Sequence, residues 1–236
     1  MVDKNLFLYD LAVVAIFKDE ARYLKEWLDY HLLAGVDHFY LYNNNSSDNY
    51  EEILAPYVEA NLVTLINCPG KVMQMTAYNN ALNRFRFFCR YIAFIDLDEF
   101  ILPRTNKSIV EVVDEILLRD DNAAGLAINW QIFGSNNFQT ADYSKGVLER
   151  FTRRAPRDWA QLLIFDDGTF ILLGNMTVKL IVNPRVTKVL PTSHIANYIC
   201  DRYTVNENGN TIETCLNREI SCEKILINHY YIKSYE

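Results

Sequence analysis

Tyr91-Ile92-Ala93-Phe94-Ile95-Asp96-Leu97-Asp98-Glu99-Phe100-Ile101-Leu102 is the stretch on which the fold turns. An apolar run of aromatic and β-branched residues leads into Asp96, residues 96–99 hold three carboxylates, and a second apolar run follows. The pattern reads as a buried strand that ends in concentrated negative charge. Side chains alternate along a strand, so Asp96 and Asp98 are expected on one side and Leu97 on the other. Carboxylates held this close repel one another and are costly to desolvate unless a cation lies between them. Hard oxygen ligands of this kind suit Mg2+ or Mn2+, which link a protein carboxylate to substrate phosphates. The competing reading is a solvated strand end whose acids pair with Arg84, Arg86 or Arg90. Flanking apolar runs embed the acids and favour metal or phosphate chemistry.

Outward from this stretch, strands and helices alternate. Leu11 to Phe17 is a continuous apolar run of strand length, as in a parallel sheet covered on both faces. From Ala21 the spacing becomes helical, with Leu24, Trp27, Leu28 and His31 on one face and Gly35 placed as a cap. His38 to Tyr42 predicts a second strand, and Asp48-Asn49-Tyr50-Glu51 has the spacing of a capping box opening a helix to about Ala60. Leu62 to Ile66 is a third strand, and a helix from about Met73 leads to the acidic one. This alternation implies an α/β fold, a mostly parallel central sheet flanked by helices with right-handed crossovers. Ligands bind at the carboxyl ends of such strands. Lys18-Asp19-Glu20, the loop from Asn43 to Asp48, and Asp96-Leu97-Asp98 therefore fall along one edge.

Ser108-Ile109-Val110-Glu111 is a second capping box, opening a helix to about Leu118, and Ala124 to Phe133 predicts a strand. Beyond it, Val147–Thr152, Leu162–Phe165, Phe170–Leu173, Val178–Val182 and Val186–Leu190 read as short strands, antiparallel additions in the C-terminal half. The 236 residues fit a single domain.

A net charge of −7 argues against a nucleic-acid backbone as partner. No apolar run reaches the roughly 20 residues needed to span a bilayer, and the first residues lack a secretory pattern. A cytoplasmic chain is expected, with peripheral membrane association left open. Five cysteines without a C-x-x-C pair read as buried, reduced thiols. Glycine-cradle and hydrolase signatures are absent, and only 8 glycines are available, so phosphate charge would have to be met by a metal.

Phe17-Lys18-Asp19-Glu20-Ala21, Tyr23-Leu24, Glu26-Trp27-Leu28, Tyr30-His31 and Gly35-Val36-Asp37-His38-Phe39 together resemble the opening of family 92 and related family 2 glycosyltransferases of the GT-A fold. Resemblance continues in Tyr42 to Asp48, Asp96-Leu97-Asp98-Glu99-Phe100, Trp130-x-x-Phe133-Gly134-Ser135, Glu149 to Thr152, Val178-Lys179-x-Ile181-Val182-x-Pro184 and Asn228-His229-Tyr230-Tyr231-x-Lys233-Ser234. It covers nearly the whole chain in order. It implies a GT-A fold, with residues 1–104 as the nucleotide-sugar-binding half and 105–236 as the acceptor-binding half, and transfer of a hexose from a nucleotide sugar, expected to be a UDP-sugar, to a glycan acceptor, with Mn2+ or Mg2+ and inversion at the anomeric carbon. Asp96, Asp98 and His229 would hold the metal, with Asp96 also facing the ribose. Lys233 would lie near the diphosphate, and Lys18, Glu20, Asn43, Asp48, Gln74 and Asn79 would line the donor pocket. Lys179 and Arg153 are candidates for phosphate or sugar contacts, and Trp130 offers an apolar face to an acceptor sugar.

Departures from the family pattern are specific. Asp19 and Asn43 stand where relatives often carry Asn and Asp, and the segment Trp159 to Met176 is longer than expected. Relatives continue past Lys233-Ser234 into a further helix, so a truncated chain with lowered activity is expected. An inverting transfer needs a general base. The residues do not single one out; Asp158 is taken for its place in the acceptor half, with Asp142 and Asp166 behind it. Two other readings fit the acids: a sugar-phosphate nucleotidyltransferase, and a non-catalytic nucleotide- or glycan-binding module. Oligomeric state is not legible.

Overall fold

The structure is a computed structural model that describes residues 6–140, 142–164 and 170–231. Its centre is β1 (Tyr9–Phe17), which pairs in parallel with β2 (His38–Asn43) on one side and β4 (Cys89–Phe94) on the other; β3 (Val63–Asn67) continues in parallel beyond β2. Alternation along β1 sends Leu11, Val13, Ala15 and Phe17 into one apolar cluster and Ala12 and Val14 into another. Both faces are therefore buried, which is why the strand reads as an unbroken apolar run. Helices α1 (Ala21–Leu33), α2 (Tyr50–Glu59) and α4 (Ile109–Leu117) contribute to the first cluster, and α3 (Gln74–Phe85) to the second.

Past β4 the sheet becomes mixed. β9 (Val178–Val182) lies antiparallel between β4 and β6 (Ala123–Ile132), and β12 (Tyr203–Val205) and β13 (Thr211–Ile212) extend the far edge. The C-terminal end of β6 also pairs in parallel with β14 (Ile225–His229), which pairs antiparallel with β5 (Glu99–Pro103). Two hairpins stand apart: β7 (Ala160–Ile164) with β8 (Phe170–Gly174), and β10 (Thr187–Thr192) with β11 (Ile195–Tyr198). The parallel β3-β2-β1-β4 block, the acidic turn after β4 and the antiparallel β9 make this an α/β fold of the GT-A type.

Several local readings are corrected. Strand β4 ends at Phe94, so Asp96 and Asp98 lie in the turn to β5 instead of alternating along a strand. The capping-box spacing at Asp48 does not cap α2, whose N-cap Asn49 makes no side-chain capping bond; Asp48 Oδ2 accepts the Ala21 amide of α1 at 2.7 Å. The box at Ser108 forms as read, and α1 turns off through Gly35 at φ +97°, where an added Cβ would lie 3.0 Å from the Ser108 Cβ. Val147–Arg150 is one helical turn, α5, and not a strand; the Glu26 carboxylate accepts the amides of Val147 (2.6 Å) and Leu148 (3.1 Å). All five cysteines are free, with Cys68 and Cys89 buried and Cys200 exposed. Among the described residues no helix is long and apolar enough to cross a membrane.

His31 is structural. Its Nδ1 bonds the Trp27 carbonyl at 2.8 Å and its Nε2 accepts the Ile101 amide at 3.2 Å, which fixes a neutral tautomer joining α1 to β5. Burial pushes this imidazole down to about 4. A depressed folded value means that its stabilisation is complete above the unfolded value and is lost as pH falls through the folded one. Stability to urea is expected to drop between about pH 6.5 and pH 4, with up to about 3 kcal/mol from this group. NMR titration of the imidazole checks it: an ordinary value in the folded chain would contradict the placement.

Candidate active site

The carboxyl ends of β1, β2 and β4 converge as the sequence predicts. At the ends of β1 and β2, Asp19 Oδ1 accepts the Ser47 amide at 2.7 Å while the Asp19 amide donates to Ser46 Oγ at 3.0 Å, tying the two loops together. Asp19 and Asn45 adopt positive φ, at 56° and 58°, in this edge. Beside it lies a cavity of about 640 Å3 lined by Asp19, Glu20, Arg22, Tyr23, Asp48 and Ile53 among others. Glu20 and Asp48 are thus brought together, and Asp48 Oδ1 is buried with no partner among the described residues. Lys18 is exposed at the end of β1. Asn43 is buried: its amide nitrogen donates to the Tyr50 hydroxyl at 2.9 Å, and its Oδ1 accepts the Ser46 amide at 2.9 Å.

Next to this edge the acids are not equivalent. Asp96 is held on both oxygens. Oδ1 accepts Gln74 Nε2 at 2.7 Å and the Tyr78 hydroxyl at 3.0 Å, from residues one helical turn apart on α3, and Oδ2 meets Lys179 Nζ at 2.7 Å. Lys179 is 1% exposed, on β9, and its ammonium also lies 3.6 Å from Glu99 Oε2, which accepts the Asp96 amide at 2.9 Å. Burial works against a charged lysine, but Asp96 and Glu99 outweigh it and hold the ammonium above its ordinary value. Burial pushes the Glu99 carboxyl up to about 7 against the pull of Lys179. The cation that satisfies Asp96 is therefore Lys179; Arg90 pairs with Asp114 (2.5 Å) and Asp10 (3.6 Å), and Arg86 donates to Asn83.

Asp98 points the other way. Its Oδ2 lies 3.3 Å from His229 Nε2, and its carbonyl accepts the Tyr230 amide at 2.8 Å. Burial disfavours a charged His229, yet Asp98, Glu99 and Asp96 together raise it above its ordinary value. The strand that carries His229 is aimed by Glu207, whose buried carboxylate accepts the Ser221 hydroxyl and the amides of Glu223, Lys224 and Ile225 at 2.8, 2.9 and 3.1 Å. Two ligands of one octahedral Mg2+ lie about 3 Å apart, so Asp98 and His229 have the spacing and chemistry to be neighbours on one cation. Among the described residues no three His, Cys, Asp or Glu side chains are grouped to hold a metal. The pair thus fits a cation that takes its remaining ligands from substrate or water.

Other expected residues fall elsewhere. Asn79 spends its side chain on the backbone of Leu190, giving and receiving bonds of 2.9 Å that staple α3 to β10. Trp130 is 5% exposed, its ring between His194 and His229, so it offers no face to a sugar. Aromatic surface is supplied instead by Trp159 and Tyr231, which line a cavity of about 300 Å3 together with Arg153 and His229. Asp158 is exposed in the turn before Trp159, Asp142 bonds the Ser144 backbone and hydroxyl, and Asp166 and Lys233 lie outside the described residues. Sequence reading missed Tyr78, Glu99, His194 and Trp159. Tyr78 stands four residues after Gln74 and was legible as its partner; Glu99 belongs to the acidic stretch itself.

The fold is of the α/β class with this acidic turn at the carboxyl end of its parallel block, and comparison with known proteins names the family. The model of glycosyltransferase family 92 matches residues 12–230, and the chain belongs to that family. A family 92 protein of Ricinus communis is 25% identical over 62% of this chain and 26% of its own length. A galactan beta-1,4-galactosyltransferase of Arabidopsis thaliana is 28% identical over 38% of this chain and 19% of its own. The solved structure of S. aureus TarS 1–349 shows a partial likeness, at TM-score 0.41 and 18% identity over 52% of this chain and 36% of that one. The chain spans about a quarter or less of the length of these two curated relatives.

Lys179→Met leaves the buried Glu99 and the half-buried Asp96 without their cation and is expected to cost up to about 3–5 kcal/mol of stability, with solvent screening at Asp96 lowering the figure. Adding Asp96→Asn should recover part of the loss. Urea melts of both variants check this; a loss below about 1 kcal/mol, the behaviour of a surface pair, would contradict the buried-pair assignment.

Proposed function

We propose that this chain carries the donor site of a metal-dependent, inverting glycosyltransferase that moves a hexose from a nucleoside diphosphate sugar, with UDP as carrier, to a saccharide hydroxyl. The observation that carries the reading is the divided acid cluster: Asp96 locked by Gln74, Tyr78 and Lys179, and Asp98 turned toward His229 in a chain of family 92. The activity after which the Arabidopsis relative is named, galactan galactosyl transfer, supports a hexose as the group moved.

In this reading Asp98 and His229 hold Mn2+ or Mg2+, with Asp96 behind them. The ion, when bound, takes up charge on the departing diphosphate. Every other task falls to side chains. Glu20, Asp48 and Asn43, with Lys18 at the rim, shape the nucleoside side of the site, where the bonds between Asp19 and residues Ser46 and Ser47 keep the pocket formed before the donor arrives. Lys179 fixes the carboxylate of Asp96 so that it need not reorganise, which is the form in which electrostatic stabilisation is most effective. Arg153 contributes positive charge beside His229, and Lys233 is assigned to the diphosphate. Asp158 is assigned as the base that takes the acceptor proton, from the turn that precedes Trp159. Reaction on the cytoplasmic side, with a glycan acceptor and no nucleic-acid partner, completes the proposal.

UDP is expected to bind with Mn2+ present and to bind at least about tenfold more weakly with EDTA or in Asp98→Ala, the loss of one charge-assisted ligand. Calorimetric titration of UDP and GDP into the folded chain measures this, and Asp98→Ala with unchanged metal-supported affinity would overturn the site. Released UDP, as opposed to pyrophosphate, separates sugar transfer from nucleotidyl transfer. Donor hydrolysis to UDP and free sugar excludes a non-catalytic module.

A further inference from the structure

The strands that present His229 also have a back face. Side chains alternate along paired strands, and the registers of β5, β14 and β6 set Leu226 beside Leu102 and Asn228 beside Gln131. The ladder runs one residue past β5, where the Arg104 amide donates to the Lys224 carbonyl at 2.8 Å. Gln131, Leu226 and Arg104 therefore share one face, and Ile132 and His229 take the other. Against the end of β6 lies the segment from Arg153 to Ala155. The Gly134 amide donates to the Arg153 carbonyl at 3.2 Å, and the Ala155 amide donates to the Ile132 carbonyl at 2.8 Å. Arg154 pairs with Phe133 in this antiparallel ladder, which puts its side chain on the face of Gln131. The segment is thus a wall between the His229 side and the back face.

On the back face lies a cavity of about 390 Å3. Leu226 and Gln131, both buried, line it from the strands, and Gln131 Nε2 donates to the Ala155 carbonyl at 3.0 Å, which ties this floor to the wall. Burial pushes the Cys222 thiol up to about 11, so Cys222 lines the cavity as a neutral side chain. The charged lining is Arg104, Arg154, Arg157 and one acid, Glu223. Arg157 is anchored by two bonds to the Ile220 carbonyl, from Nε at 3.2 Å and from Nη2 at 2.6 Å, and its Nη1 lies 3.5 Å from Glu223. That ion pair is exposed on both sides and holds the guanidinium weakly. Among the described residues Arg104 and Arg154 have no carboxylate partner, and both are exposed. In a chain of net charge −7 this cavity is a local reversal of sign. Guanidinium forks bind phosphate oxygens in bidentate fashion, and a concave surface focuses the field on such an anion. Two uncommitted cations match the charge of a phosphate monoester, which approaches −2 at neutral pH. Leu226 and Pro156 offer apolar surface to the body that carries it.

We propose that this back cavity is a binding site for a small organic phosphate, with the phosphate held by Arg104, Arg154 and Arg157 and the organic body resting on Leu226 and Pro156. It is separate from the donor site and does not depend on the donor reading above. Its position also gives it a lever on the other side of the wall. Arg154 belongs to the same short ladder as Arg153, which borders the cavity at His229, so a phosphate held by Arg154 steadies that ladder from behind.

The test is calorimetric titration of glucose 6-phosphate, inorganic phosphate and glucose into the whole chain, at constant ionic strength and without nucleotide or metal. Glucose 6-phosphate is expected to bind at least about tenfold more tightly than either of the other probes, and to weaken as salt is raised. Arg104→Gln and Arg154→Gln should each weaken it about tenfold, whereas Arg84→Gln, the loss of one exposed charge on α3, should change it less than about twofold. All three substitutions fall on exposed side chains, and thermal melts confirm that the variants fold. Hydrogen exchange at the Ala155 amide, the bond that closes the wall, is expected to slow at least about threefold with glucose 6-phosphate bound. Binding no tighter than that of inorganic phosphate or glucose, binding that ignores Arg104 and Arg154, an equal loss in Arg84→Gln, or no binding in a folded chain overturns the site. An unchanged Ala155 exchange rate with the site filled overturns the lever.

Discussion

A single buried ammonium organises the centre of this molecule. Lys179 lies on β9, the antiparallel strand between β4 and β6, and reaches the turn after β4 to meet Asp96 and Glu99. Burying a lysine is costly unless its charge is met. One acid, Asp96, precedes the turn and the other, Glu99, opens β5 just after it, so the pairing requires that β9 be in register and that the turn close at once. Glu99 adds to this closure by accepting the Asp96 amide. The acidic turn is thereby shaped by contacts internal to the fold, before any ligand is considered.

That constraint gives the two aspartates different parts. Asp96 has its oxygens taken up by α3 and β9, while Asp98, two residues on, turns to β14 and His229. Strand alternation predicts that the pair shares a side, and this fails because the strand stops at Phe94. What determines their directions is the pairing of β5 with β14, which sets His229 opposite Glu99 in register. Glu207 aims that strand from 22 positions before His229 by gathering three successive amides, and its hydrogen bonds outweigh burial and lower its pKa. The site is therefore positioned by two buried carboxylate networks, one at each end of β14.

The parallel half was legible because each strand is buried on both faces and each crossover helix carries an apolar stripe. Long periodic runs state their own burial. Short segments do not, and Val147–Arg150 shows why: its helical turn is stabilised by Glu26, more than a hundred residues away, and nothing in the local sequence records that cap. Asp48 is similar. Its spacing fits a box on α2, but the bond goes to α1, because a spacing rule lists the acceptor without naming the donor. Among site residues, those tied to strand ends were found where expected. Those whose role depends on partners from distant strands were not: Trp130 looked like a sugar platform and is enclosed by two histidines, and Asn79 looked like a donor contact and is a staple to β10.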